Sequence, residues 1–175
     1  GGNGSIDGPD SQIVDQHSDA NMVTAVPATG YHFISWSDGV TSASRTDSDV
    51  SVDQSVTANF ALNQYTLSFS LGKNGSLVGD SLQTVAHAGD GTLVTAVAAA
   101  NYHFVSWSDG VSTPSRTDRN VTADITVTVN FAVDQCSLAY TTGKNGTITG
   151  ALTQKVDCGG CGSTVTAVPA AGYHF

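Results

Sequence analysis

The chain has no glutamate. All fifteen of its acids are Asp, set against six Lys and Arg, which leaves a formal net charge of -9 on 175 residues. Met occurs once and Lys is scarce. With the residues that favour helical surfaces so depleted, and Val, Thr, Tyr and Phe plentiful for pleated sheets, an all-β protein is expected. The shortage of cations excludes a nucleic-acid partner, because such binding draws on Lys and Arg placed against phosphates. Long apolar runs are also missing. The longest are strand-sized, short of the roughly 20 residues a membrane helix needs, so no membrane insertion is expected. Residues 1–10 show no basic start followed by an apolar stretch, and the first residue is Gly1; no signal peptide is visible, and the chain reads as a fragment of a longer protein. At 39% hydrophobic and 12% charged residues, the composition supports compact cores rather than disorder.

What is present is a repeat. Lys73-Asn74-Gly75 returns at Lys144-Asn145-Gly146, and Tyr31-His32-Phe33 returns at Tyr102-His103-Phe104 and Tyr173-His174-Phe175, so position 73 maps to 144 and 102 to 173. This period of 71 residues runs without gaps. Ser35-Trp36-Ser37-Asp38-Gly39-Val40 reappears as Ser106-Trp107-Ser108-Asp109-Gly110-Val111, and Ser44-Arg45-Thr46-Asp47 as Ser115-Arg116-Thr117-Asp118. Roughly half the aligned positions are identical, the mark of a repeat architecture. The copies divide as 1–63, partial and lacking its first strand; 64–134, complete; and 135–175, partial and lacking its closing half. The expectation is a window on a longer tandem array whose cut ends are completed by adjacent chain.

In the complete copy, Tyr65, Leu67, Phe69 and Leu71 alternate with Thr66, Ser68 and Ser70, the period-2 pattern of a half-buried strand. Asn74-Gly75 follows, a pair suited to a type I′ hairpin turn, so 76–78 is predicted to fold back antiparallel to that first strand. The Asn145-Gly146 pair predicts the same turn in the third copy. Residues 82–86, 92–98 and 102–107 read as further strands, and Ile125, Val127, Val129 and Phe131 close the copy. Residues 109–120 form one long polar connection with room for a single helical turn.

Taken in order, Tyr65-Thr66-Leu67, Asn74-Gly75, Val94-Thr95-Ala96-Val97, Tyr102-His103-Phe104-Val105-Ser106-Trp107 and Val127-Thr128-Val129-Asn130-Phe131 resemble the divergent internalin-B-type B-repeat family of bacterial surface proteins, over the whole chain. The resemblance implies small antiparallel β modules, β-grasp-like or sandwich-like, strung in tandem along secreted or wall-attached proteins as stalk, spacer or adhesive material. It implies no catalytic residue and no cofactor. Phe33, Phe104, Phe60, Phe131, Trp36 and Trp107 transfer as core and strand markers only, while the cysteines of the third copy depart from the usual pattern.

Several residues invite chemistry. Trp36 and Trp107 would stack on sugars if exposed, but a module of this size needs large side chains inside. His32, His103 and His174 each lie alone on a strand, without a second ligand at metal spacing. Asp47, Asp49, Asp53, Asp118 and Asp124 could supply oxygens to calcium, yet Arg45 and Arg116 stand two residues before Asp47 and Asp118, and a loop-tying ion pair is the simpler account. Cys136, Cys158 and Cys161 replace the equivalents of Tyr65, His87 and Asp90. A cross-strand Cys136–Cys158 disulfide is the first reading, since pairing about Asn145-Gly146 sets Cys136 opposite the neighbourhood of Lys155. A local Cys158–Cys161 bridge, a redox pair or half a zinc site are the alternatives, and either pairing leaves a thiol that could link chains. Asn3, Asn74, Asn120 and Asn145 formally fit glycosylation acceptors. No Ser/His/Asp or paired-carboxylate set stands out, so no enzyme is expected. The expected role is a structural extracellular element, a stalk, spacer or fibre, whose partners are neighbouring repeats of the same or an adjacent chain, up to a homopolymeric fibre. The alternative is an adhesive module that holds a glycan or surface protein through loops 80–91 or 109–120.

Overall fold

A computed structural model of the chain describes residues 2–175, and among these every regular element is a strand. The first copy carries β1 (Gly4–Asp7), β2 (Val23–Pro27), β3 (Tyr31–Trp36), β4 (Ser44–Arg45) and β5 (Ala58–Leu62). The middle copy carries β6 (Gln64–Ser70), β7 (Gly75–Val78), β8 (Leu82–Ala86), β9 (Val94–Ala98), β10 (Tyr102–Trp107), β11 (Ser115–Arg116) and β12 (Ile125–Val133). The third carries β13 (Gln135–Ala139), β14 (Gly146–Thr149), β15 (Thr153–Asp157) and β16 (Thr166–Pro169). Equivalent strands pair in one register: Gly4 lies opposite Pro27, Gly75 opposite Ala98 and Gly146 opposite Pro169.

Each copy divides its strands between two sheets. In the middle copy these are β10-β12-β6-β8 and β11-β9-β7. The first copy shows β1-β2-β4 and β3-β5, and the third shows β13-β15 and β14-β16. The architecture is therefore a tandem of small all-β modules whose sheets are built from antiparallel strand pairs. Two compact units share the chain, one formed by Gly1–Leu67, Leu82–Thr92 and Thr117–Ile125, the other by Ser68–Ser81, Leu93–Arg116 and Thr126–Phe175.

The hairpin predicted at Asn74-Gly75 does not form. β6 has β12 on one side and β8 on the other, so neither of its edges is open to β7, which pairs with β9 in the second sheet. Asn74 takes the left-handed conformation at φ 74, but Gly75 does not, and a type I′ turn needs both. Gly75 serves a different end: a Cβ there would run into the Phe131 ring and, at 2.7 Å, the Val97 carbonyl oxygen. Gly4 meets the Phe60 ring in the same way in the first copy. Asn145-Gly146 likewise carries the chain from β13 across to β14, which pairs with β16, not β13. The connection 109–120 is also not free loop, since β11 pairs with β9 inside it.

A β-bulge sets the core. β10 pairs with β12 in register from Tyr102 to Phe104 and then slips before Ser106, leaving Val105 as the extra residue. Strict alternation would send Trp107 to the face opposite Phe104. The extra residue restores it to the inner face, where Trp107 is fully buried. β3 and β5 repeat the slip between Phe33 and Ser35, with the same result for Trp36. The middle copy also buries Leu67, Phe69, Val85, Val94, Ala96, Val121, Val127 and Val129. The first copy buries only Ala25 and Trp36 among its apolar side chains, and 135–175 buries none.

Candidate functional site

The duplicated Trp-Ser-Asp-Gly and Ser-Arg-Thr-Asp motifs converge on one arrangement. Arg116, on β11, lays its guanidinium 5.1 Å from the centre of the Trp107 ring and 5.6 Å from that of Phe69, and pairs with Asp109 at 2.9 Å. The indole Nε1 of Trp107 donates to the Thr113 carbonyl at 3.1 Å. In the first copy Arg45 covers Trp36 at 5.1 Å, pairs with Asp38 at 2.9 Å and also with Asp47, and Trp36 Nε1 donates to Ser42 O at 2.9 Å. Hydrogen bonding from Arg116 outweighs burial and holds the Asp109 carboxyl below its ordinary range, while Asp47 and then Asp38 raise Arg45 against the cost of its burial. A buried cation packed on an aromatic face and tied to a flanking acid, two of them at Arg45, is a clasp between the module's two sheets. It leaves no indole face open to a sugar, since Trp36 and Trp107 are both buried.

The joints between copies are one residue long. Asn63 follows β5 and precedes β6; its N–H donates to Gly30 O at 2.7 Å and its carbonyl accepts from His87 N at 2.8 Å, so it binds the backbone of both copies it joins. Its Oδ1 accepts from His32 Nδ1 at 2.8 Å. At the second joint Asp134 N donates to Asn101 O at 2.8 Å, Asp134 O accepts from Cys158 N at 2.8 Å, and Asp134 Oδ1 accepts from His103 Nδ1 at 2.7 Å. Around these shared bonds the packing has been exchanged. Gly30, at φ 81, has no room for a Cβ because the His87 ring lies on it. At the second joint Asn101 stands in the same place at φ 67, its side chain against Gly159, and Cys158 takes the position of His87. Small meets large at one joint, and large meets small at the other.

A family model, the divergent InlB B-repeat domain, matches residues 1–64, 65–135 and 136–175. The chain belongs to this family. No curated protein and no solved structure matches it significantly. B-repeats of this family are extracellular or surface-associated modules, and among the described residues no helix is long and apolar enough to cross a membrane.

In the third B-repeat Cys136 and Cys158 form a disulfide with Cα atoms 5.0 Å apart, and Cys161 is a free, exposed thiol. The bridge stands where the second B-repeat has Tyr65 and His87, whose hydroxyl and Nδ1 are 3.3 Å apart. A polar aromatic contact has become a covalent bond at the same cross-strand place. Cys136 lies directly opposite Val156, because β13 pairs with β15 while β14 makes its excursion to the other sheet. The Asp residues considered for calcium are dispersed: Asp47 on Arg45, Asp49 on His17 at 2.7 Å, and Asp124 accepting from Thr66 N at 2.8 Å. Among the described residues no three His, Cys, Asp or Glu side chains converge on a metal position. Asn3, Asn74, Asn120 and Asn145 are all exposed. A cleft of about 300 Å³ beside 141–148 includes Lys144 and His174 but no acid. Sequence reasoning gave the joint residues no role. The signal was there in the matching Asn63-Gln64 and Asp134-Gln135, a polar pair set at the same point of each period between two apolar alternations.

Proposed function

We propose that the chain is a non-catalytic spacer or stalk segment of an exported bacterial surface protein, built to hold successive B-repeats in a fixed relation. The observation that carries this reading is the joint: one residue, with its N–H committed to one copy, its carbonyl to the next and its side chain to a histidine, at both places where copies meet. A flexible connection would place Gly, Ser or Pro between the modules, whereas here strand follows strand. The clasps support the same role, because they spend the most reactive-looking residues on joining sheets.

The adhesive alternative would use segments 80–91 and 109–120, which carry β8 and β11 and so are not free loops. Both are tied down: Asp90 accepts from Asn120 N at 2.9 Å and from Arg119 at 2.8 Å, and Gly91 N donates to Asp118 O at 2.8 Å. The full chain applied to a glycan array and to immobilised extracellular-matrix proteins should show no saturable binding. Saturable binding abolished by substitutions within 80–91 or 109–120 would establish the adhesive role instead.

A further inference from the structure

Cys136 and Cys158 are bridged across two strands, and Cys161 follows Cys158 closely in sequence. Cys136 lies in β13, Cys158 follows β15, and only Gly159 and Gly160 separate Cys158 from Cys161. Gly159 sits at φ 87 and Gly160 N donates to Asp157 O at 2.8 Å, so the chain turns at Cys158-Gly159, just before Cys161. A Gly-Gly link has no side chain to obstruct their approach and more backbone freedom than any other pair. An exposed thiol thus stands three residues from one sulfur of an intact disulfide. The earlier copies use this position differently. Asp19 accepts from Asp49 N at 3.1 Å and Asp90 from Asn120 N at 2.9 Å, each carboxylate fastening a loop. A thiol is a weak acceptor, so the Cys at position 161 is a poor substitute for a loop-fastening carboxylate.

We propose that Cys161 is the attacking thiol of an internal thiol–disulfide exchange that moves the bridge from Cys136–Cys158 to Cys158–Cys161. The Cys161 thiolate attacks Sγ of Cys158. A Cys158–Cys161 bond forms as the Cys136–Cys158 bond breaks, and Cys136 leaves as a thiolate that takes up the proton Cys161 released to solvent. One disulfide and one thiol remain, so neither oxidant nor reductant is consumed. The exchange would act on the second joint: Cys158 N is bonded to the joint residue Asp134, and Cys136 is two residues beyond it. With the bridge at Cys136–Cys158, β13 is covalently stapled to β15 next to the joint. With it at Cys158–Cys161, only the backbone ladder holds them. The device is independent of whether the array serves as spacer or adhesin.

The test is to incubate the full chain without reductant at about pH 8, where thiolates are populated, quench it in acid, block free thiols with N-ethylmaleimide and map the cysteines by peptide mass spectrometry. The expected result is a population with Cys136 blocked and a Cys158–Cys161 linked peptide, beside the starting form, and loss of the Cys136 label in Cys161→Ser. A second variant, Cys136→Ser, should close Cys158–Cys161 within the monomer when given oxidised glutathione. Blocking at Cys161 alone after prolonged incubation, Cys136 labelling that persists in Cys161→Ser, or capture of Cys161 in disulfide-linked dimers would each overturn the proposal.

Discussion

Reducing the Cys136–Cys158 bridge should loosen the third B-repeat and leave the second intact. Residues 135–175 bury no apolar side chain, whereas the second repeat fully buries Trp107, Leu67, Val94 and Val129, so the third relies on its strand ladders and the disulfide. The bridge spans a sequence separation of 22 residues, and the chain-entropy relation gives such a loop about 3.4 kcal/mol at 25 °C. At 1.4 kcal/mol per decade this is a factor of about 300 in the population of the opened form. Amide hydrogen exchange of the full chain, with and without a phosphine reductant and read by mass spectrometry, resolves the effect by segment. Peptides covering β13 and β15 should lose protection by up to about that factor, while those covering β9, β10 and β12 should hold theirs. Equal loss across all copies, or unchanged protection in β13 and β15, would refute the argument that the third copy, which buries no apolar side chain, depends on its own covalent bond.

Other consequences follow from the clasps and joints. Trp107→Ala should cost about 3–5 kcal/mol, the usual range for emptying a large buried aromatic site, measured by urea denaturation. Asp109 titrates below its ordinary value when folded, because Arg116 hydrogen-bonds it; its contribution is complete above the unfolded carboxylate value of about 3.9 and is lost as pH falls through the lower folded value. Asp109→Asn should therefore be less stable than the parent at neutral pH and show a flatter acid-unfolding curve, whereas parallel curves would contradict the clasp. At the first joint, Gly30→Asn should destabilise by forcing a side chain onto His87, and His87→Ser should rescue it, with a coupling of about 1 kcal/mol in a double-mutant cycle; additive effects would show that the two residues are not opposed.

Much of this architecture was legible in residue order, and the exceptions have physical reasons. The 71-residue period, the all-strand composition and the alternation of Tyr65, Leu67 and Phe69 carry the modules, because periodicity and burial follow from local pattern. The Asn-Gly pairs misled, since a hairpin turn and a sheet-to-sheet crossover place Asn alike in the left-handed region. What separates them is the occupancy of both edges of β6 and the Phe131 ring lying on Gly75, neither of which is local. The bulge at Val105 was hidden for the same reason: Tyr102-His103-Phe104-Val105-Ser106-Trp107 reads as an unbroken strand, and only the β12 register reveals the slip. The Arg45–Asp47 tie was readable from spacing, but the stacking of Arg45 on Trp36 and its second acid, Asp38, depended on how the loop after β3 returns. The joints needed the fold in full, since Asn63 gains its role from Gly30 and His87, one on each side of it in sequence and both distant.

The most direct test of the account is an electron–electron distance measurement across the first joint. Nitroxides at Thr41→Cys and Thr122→Cys, in a Cys161→Ser background with the disulfide intact, would report one narrow distance distribution, which should broaden when two glycines are inserted after Asn63. A distribution already broad in the chain without the insertion would contradict a joint fixed by one residue.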